Sequence, residues 1–143
     1  MKTKTLLAGL LASALAAACA TTTSPTGRTQ YVGGVSQAQL NQLGEQAFAE
    51  AKQKTPQSRD ARQLAYVGCV VNAVVRQLPA PWNQQRWDYA LFENDEANAW
   101  ALPGGKVGLY TGIFKVARDQ DQLAGVVAHE IGHVIARHHD ERI

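Results

Sequence analysis

The sequence predicts an α+β domain, and three observations carry that prediction. Apolar residues first recur at helical spacing between positions 40 and 78. The period then shortens to two around positions 87–92, with a Pro103-Gly104-Gly105 turn soon after. A long, capped apolar helix comes last. Helices, a small sheet and a closing helix, in that order, make the segregated arrangement of α+β folds.

Each element has its own signal. Ser36 is a residue type that caps helices, and Leu40, Leu43, Ala47, Phe48 and Ala51 form the first apolar stripe. Thr55-Pro56 breaks it. The second stripe runs through Leu64, Val67, Val71, Val74 or Val75, and Leu78, and Pro79-Ala80-Pro81 ends it. Both stripes read as core faces. Trp87, Tyr89 and Leu91 alternate with Asp88, Ala90 and Phe92 as a half-buried strand. Residues 98–102 and 106–111 read as two more strands, which the Pro-Gly-Gly turn joins into a hairpin. A short helical piece covers 113–118. Asp119 then caps the last helix, with Gln122 at the capping-box position. Leu123, Val126, Val127, Ile131, Val134 and Ile135 line its apolar side. Trp82, Trp87, Tyr89 and Trp100 read as core or rim packing.

With 143 residues, 45% hydrophobic and 18% charged, the chain suits one globular domain and is too apolar for wholesale disorder. The 14 Lys+Arg and 12 Asp+Glu leave a formal charge of +2, and Lys2 and Lys4 lie in the N-terminal segment. No basic face is clustered, which excludes nucleic acid as a partner.

That N-terminal segment reads as an address. Lys2 and Lys4 precede an apolar run from 6 to 20, too short for a spanning helix and suited to secretion. The run closes on Ala16-Ala17-Ala18 and Cys19, which resembles the lipobox of bacterial lipoproteins, with Ala16 where that pattern prefers Leu. The resemblance implies acylation of Cys19. Because Ala20 is not Asp, it also implies the periplasmic face of the outer membrane of a Gram-negative bacterium. An ordinary cleaved signal peptide is the alternative. Residues 1–18 are therefore expected to be a lipoprotein signal peptide, 19–35 a lipidated flexible tether rich in Thr, Ser, Pro and Gly, and 36–143 the domain. The other cysteine, Cys69, then lacks an intrachain partner and reads as a buried, unreactive thiol among Val67, Val70 and Val71.

The chemistry lies in His129-Glu130-Ile131-Gly132-His133. Helical residues four apart differ by about 40° in azimuth and about 6 Å in rise, so both imidazoles project from one face. Two nitrogens at that spacing can each bind one zinc ion at about 2.0–2.1 Å. Glu130 is rotated about 100° from His129, where it can take a proton from a water that the metal activates for attack on a peptide carbonyl. The apolar flanks, Val126, Val127, Ile131, Val134 and Ile135, predict a largely buried helix, in which such polar residues would be costly without a metal or hydrogen-bond partners.

With these residues in view, the chain resembles the zinc metallopeptidase family that includes HtpX-type heat-shock proteases, CAAX prenyl endopeptidases and periplasmic lipoprotein proteases such as LoiP. The matching residues are Asn98-Ala99-Trp100-Ala101-Leu102-Pro103-Gly104-Gly105, Val107, Tyr110-Thr111-Gly112, Asp121-Gln122-Leu123-Ala124, and His129 through Arg137. The resemblance covers the domain from about position 36 onward and implies the front part of a zincin-like domain. It implies His129 and His133 as ligands of one zinc ion and Glu130 as catalytic base. It also implies that the strand bearing Asn98, Ala99, Trp100 and Ala101 is an edge that pairs with extended substrate backbone. A plain hairpin strand that packs Trp100 into the core is the other reading.

The family's third zinc ligand is a glutamate on a later helix, and the sequence ends ten residues after His133. Glu141 would lie about 12 Å along a continuing helix from His133. His139 has the spacing of a metzincin third ligand, which needs a chain turn at position 136, where metzincins carry Gly and this chain has Ala136. His138 and His139 otherwise read as a solvated helix end.

Three functions are in view. One is a zinc metalloendopeptidase that cleaves extended envelope proteins in quality control. The second is an inactive, truncated lipoprotein that binds such proteins, and the third a metal-binding module without protease activity. On the family reading, the chain alone should melt with little cooperativity and bind zinc weakly. Calorimetry showing a cooperative melt together with tight equimolar zinc would contradict that expectation.

Overall fold

The computed structural model describes residues 20–24, 27–32 and 34–138. The signal peptide, Cys19, His139 and Glu141 lie outside the described residues. In the stretch read as a tether, β1 (Ala20–Thr23) and β2 (Thr29–Val32) pair as an antiparallel hairpin. Its turn is closed by Gly27 N–H donating to Ser24 O at 2.8 Å and Ser24 N–H donating to Arg28 O at 2.8 Å. The β-branched threonines favour this extended pairing although apolar alternation is lacking.

Ser36 caps α1 (Gln37–Lys54), and a reciprocal bond from Gln39 completes a capping box. Leu40 and Phe48 are buried, whereas Leu43 and Ala47 of the expected stripe face solvent. Asp60 caps α2 (Ala61–Arg76), which buries Val67, Val70 and Val71. Cys69 points the other way and is exposed, so the expected buried thiol is corrected. Position 69 lies about 160° from the mean direction of the buried valines, which is the outer side of the helix.

The sheet follows: β3 (Asp88–Phe92), β4 (Ala99–Leu102) and β5 (Lys106–Tyr110), in spatial order β3-β5-β4. β5 pairs antiparallel with β4 and parallel with β3. The hairpin turn needs positive φ, which Gly104 (85°) and Gly105 (72°) supply without a β-carbon clash. The outer edge of β3 is partly covered, since Ser58 N–H donates to Leu91 O and Glu93 N–H to Pro56 O, both at 2.8 Å. β4 is the other edge, with no strand beyond it among the described residues.

Both faces of the sheet are covered. Leu91, Ala99, Ala101, Val107 and Leu109 join the core built on α2 and α3 (Gln120–Ile135). Ala90, Phe92, Trp100 and Tyr110 pack on the opposite face with Phe48 of α1. The half-buried reading of β3 is corrected on this ground: Ala90 and Phe92, expected toward water, are buried because α1 covers their face. The piece expected at 113–118 is a 3-10 helix at Thr111–Lys115. The α+β class holds. Among the described residues no helix is long and apolar enough to cross a membrane.

One cation sits in this packing. The Lys106 side chain is 8% exposed, and its Nζ contacts Asp88 Oδ2 at 2.7 Å and Glu45 Oε2 at 2.8 Å, tying α1 to two strands. Burial of the ammonium works to lower its pKa, but bonds and charges from Asp88 and Glu45 outweigh burial and hold it above the ordinary lysine value. The bond from Lys106 holds the Asp88 carboxyl below the ordinary range against partial desolvation. A lowered carboxyl pKa stabilises the fold above its unfolded value and loses that contribution as pH falls through the folded one. A raised lysine pKa contributes below its unfolded value and is lost as pH rises through the folded one, so both act at neutral pH. In urea titrations, stability should fall as pH drops below about 4. Lys106→Met should show a shallower fall, because Asp88 no longer has its ammonium. Equal acid slopes in the two proteins would contradict this account.

Candidate metal centre

The candidate site is built on α3. Asp119 Oδ1 accepts from Gln122 N–H at 2.8 Å and caps the helix. The return bond differs from the expected capping box, since Gln122 Oε1 accepts from Arg118 N–H, one residue before the cap. Leu123, Val127, Ile131 and Val134 form one buried line, and α3 packs through it against β4 and α2. Burial is one-sided, which corrects the expectation of a largely buried helix. Gly125, Ala128, His129 and Gly132 are exposed, and Val126 and Ile135 are half-buried at the margins. The histidines therefore carry no large desolvation penalty from this packing.

His129 and His133 do converge. Their Nε2 atoms are 3.1 Å apart, with the rings edge to face at 84° and centroids 4.6 Å apart. Two nitrogens bound to one tetrahedral zinc ion at about 2.0–2.1 Å would be about 3.3 Å apart, so this pair fits as two ligands almost as it stands. Glu130 is half-buried, and the helical wheel sets it between the imidazole side and the buried line. Among the described residues, no group of three His, Cys, Asp or Glu side chains is arranged to hold an ion.

The end of α3 departs from the sequence reading. The helix stops at Ile135 with Ala136 as its C-cap. Arg137 takes the left-handed conformation at φ 55°. Arg137 N–H donates to Val134 O and His138 N–H to His133 O, each at 3.0 Å, which is the bond pair of a Schellman turn. A non-glycine residue in that conformation costs roughly 1–2 kcal/mol. The Arg137 side chain helps to hold it, with Nη2 donating to Val35 O at 3.4 Å just before α1. The reversal brings His138 back over α3. It is half-buried, with Nδ1 2.7 Å from His133 Nδ1, and is no solvated helix end. No glycine or proline marks this turn, so the sequence carried no signal for it.

The residues expected to meet substrate are divided by the strand pleat. Ala99 and Ala101 are buried toward α2 and α3. Trp100 turns to the other face, stacked on Phe92 at 5.9 Å and edge-on to Phe48 at 6.1 Å. Its indole lies over Gly108, where any β-carbon would come within 2.3 Å of the ring. Asn98 is exposed just before β4, and its carbonyl accepts from Tyr110 N–H at 3.0 Å. Beside α3 runs an open apolar groove of about 520 Å³, lined by Val74 of α2, by Leu78 just beyond its end, and by Ala124 and Ala128 next to His129.

Residues 61–143, more than half of the chain, match the profile of Peptidase family M48. The chain is similar to the mitochondrial metalloendopeptidase OMA1 of Schizosaccharomyces pombe, 41% identical over 58 residues, which are 41% of this chain and 17% of that protein. It is also similar to the β-barrel assembly-enhancing protease of Escherichia coli, 32% identical over 99 residues, covering 68% of this chain and 20% of that protein. The enzyme of the same name from Yersinia pestis is 39% identical over 70 residues, 48% of this chain and 14% of that protein. The chain spans about a fifth or less of the length of these relatives.

The helix that carries both imidazoles depends on its cap. Asp119→Ala should lower stability by about 1 kcal/mol in a denaturant titration. An unchanged midpoint would show that the Asp119 bond contributes nothing to holding α3.

Proposed function

The chain belongs to peptidase family M48, and on that premise we propose that it forms the zinc-binding and proton-transferring part of a metalloendopeptidase. The observation that carries this reading is the convergence of His129 and His133, 3.1 Å apart at Nε2, with Glu130 on the same helix. His129 and His133 would hold one zinc ion through Nε2. Bound there, the metal supplies Lewis acidity, polarising the scissile carbonyl and activating water.

The chain's own residues do the rest. The Glu130 carboxylate accepts the proton that the attacking water loses, and returns it to the departing amine nitrogen, so acid and base are one group used twice. The outer edge of β4 offers the backbone groups of Ala99 and Ala101, to which an extended peptide can add as a further strand, while those of Asn98 and Trp100 turn inward to β5. Packing of Trp100 against Phe48 and Phe92 supports a positional role for that side chain: it stiffens the edge while the backbone does the pairing. Binding in extended form suits unfolded or unassembled proteins, whose backbone is free. The bacterial relatives' name, β-barrel assembly-enhancing protease, supports envelope proteins as the substrate class. Acylation at Cys19 would place the enzyme on the periplasmic face of the outer membrane.

Glu130→Gln tests the reading in the protein expressed from its source gene. Casein cleavage should fall by at least about a hundredfold, with zinc retained in competition against a chromogenic chelator. Cleavage at the parent rate would remove Glu130 from the mechanism. A parent protein that binds unfolded substrate but never cuts it would favour the binding lipoprotein instead.

A further inference from the structure

His138 is the one imidazole among the described residues that the mechanism above leaves unused, and its position is specific. The Schellman turn at Arg137 sets its Nδ1 2.7 Å from His133 Nδ1, with ring centroids 5.0 Å apart. Two ring nitrogens at that distance must share a hydrogen, since facing lone pairs repel. The next link is the 3.1 Å contact between His133 Nε2 and His129 Nε2. The three rings therefore form a chain of two hydrogen bonds, and a neutral imidazole carries only one ring hydrogen. The chain can run in either direction. In one, His138 Nδ1 donates to His133 Nδ1, which leaves the hydrogen of His133 on Nε2, pointing at His129. In the other, His133 Nδ1 donates to His138 Nδ1, and the Nε2 lone pair of His133 accepts from His129 Nε2.

Only the second direction leaves His133 Nε2 without a hydrogen and so able to bind a metal; an ion between the rings would replace the His129 contact, with the His129 hydrogen carried on its Nδ1. We infer that His138 is a positioning residue for the metal centre: it accepts the Nδ1 hydrogen of His133, fixing the tautomer and ring orientation that present Nε2 to the ion. This rests on the zinc reading above. It also gives the strained Arg137 conformation a use, because a helix continuing past Ala136 would carry His138 about 140° around the axis from His133. Partners on the far nitrogen of a metal-bound imidazole typically set affinity by ten- to a hundredfold.

Zinc affinity of the full chain, measured by competition with a chromogenic chelator, tests the inference. His138→Ala should bind zinc about ten- to a hundredfold more weakly. His138→Asn should bind within a few-fold of the parent, because Asn Oδ1 stands where Nδ1 stood and can only accept. Long-range nitrogen-15 correlation spectra of the zinc-loaded parent should place the His133 hydrogen on Nδ1. Equal affinity of His138→Ala and parent, failure of His138→Asn to restore binding, or zinc on His133 Nδ1 would each overturn the inference and leave the zinc reading standing. A parent chain that binds no zinc would overturn both.

Discussion

Four side chains, Leu123, Val127, Ile131 and Val134, leave water together when α3 packs, and that burial sets the rotation of the helix. Each contributes about 1.5–3 kcal/mol on full burial, far more than any single polar contact at the site. Their spacing places them on one line, so the opposite side, with Gly125, His129 and Gly132, must face outward. A slip of one residue would turn the helix by about 100° and drive an imidazole toward the core. The side of the helix on which the candidate ligands stand is thus a consequence of packing.

The sheet holds this arrangement from the other side. β5 occupies the centre, bonded to a parallel and an antiparallel neighbour, and it is buried on both faces. Helix α1 covers one face and the α2–α3 pair the other, and β4, packed on α3, is an edge with no strand beyond it among the described residues. Lys106 departs from the apolar rule for such a strand and is tolerated because two carboxylates meet its ammonium. The ion pairs also lock α1 onto the sheet. The edge strand and the helix that carries the histidines pack directly on one another.

The end of α3 is where local preference and tertiary structure disagree. Nothing in Val134-Ile135-Ala136-Arg137 favours a left-handed residue, yet the chain reverses there. The turn satisfies two helix-end carbonyls, and the Arg137 side chain reaches the backbone at Val35, 102 positions earlier. A long-range contact thus stabilises a local conformation that the residue alone would avoid, and it brings a third imidazole to the pair.

What the sequence determined by itself was everything that depends on short spacing. The caps at Ser36 and Asp119, the hairpin at Gly104 and Gly105, the α+β order, and His129, Glu130 and His133 on one helix are all readable within a few residues of each other. Local hydrogen bonds and helical periodicity decide such features before any tertiary contact forms. The tertiary structure decided what depends on distant partners. The burial of Ala90 and Phe92, the exposure of Cys69, the central place of β5 and the return of His138 all follow from elements far apart in the chain. Periodicity identifies the face of an element that could be buried. Only packing decides whether a second face is covered as well, and that is why the second buried face of β3 and the reversal at the end of α3 were not legible in the sequence.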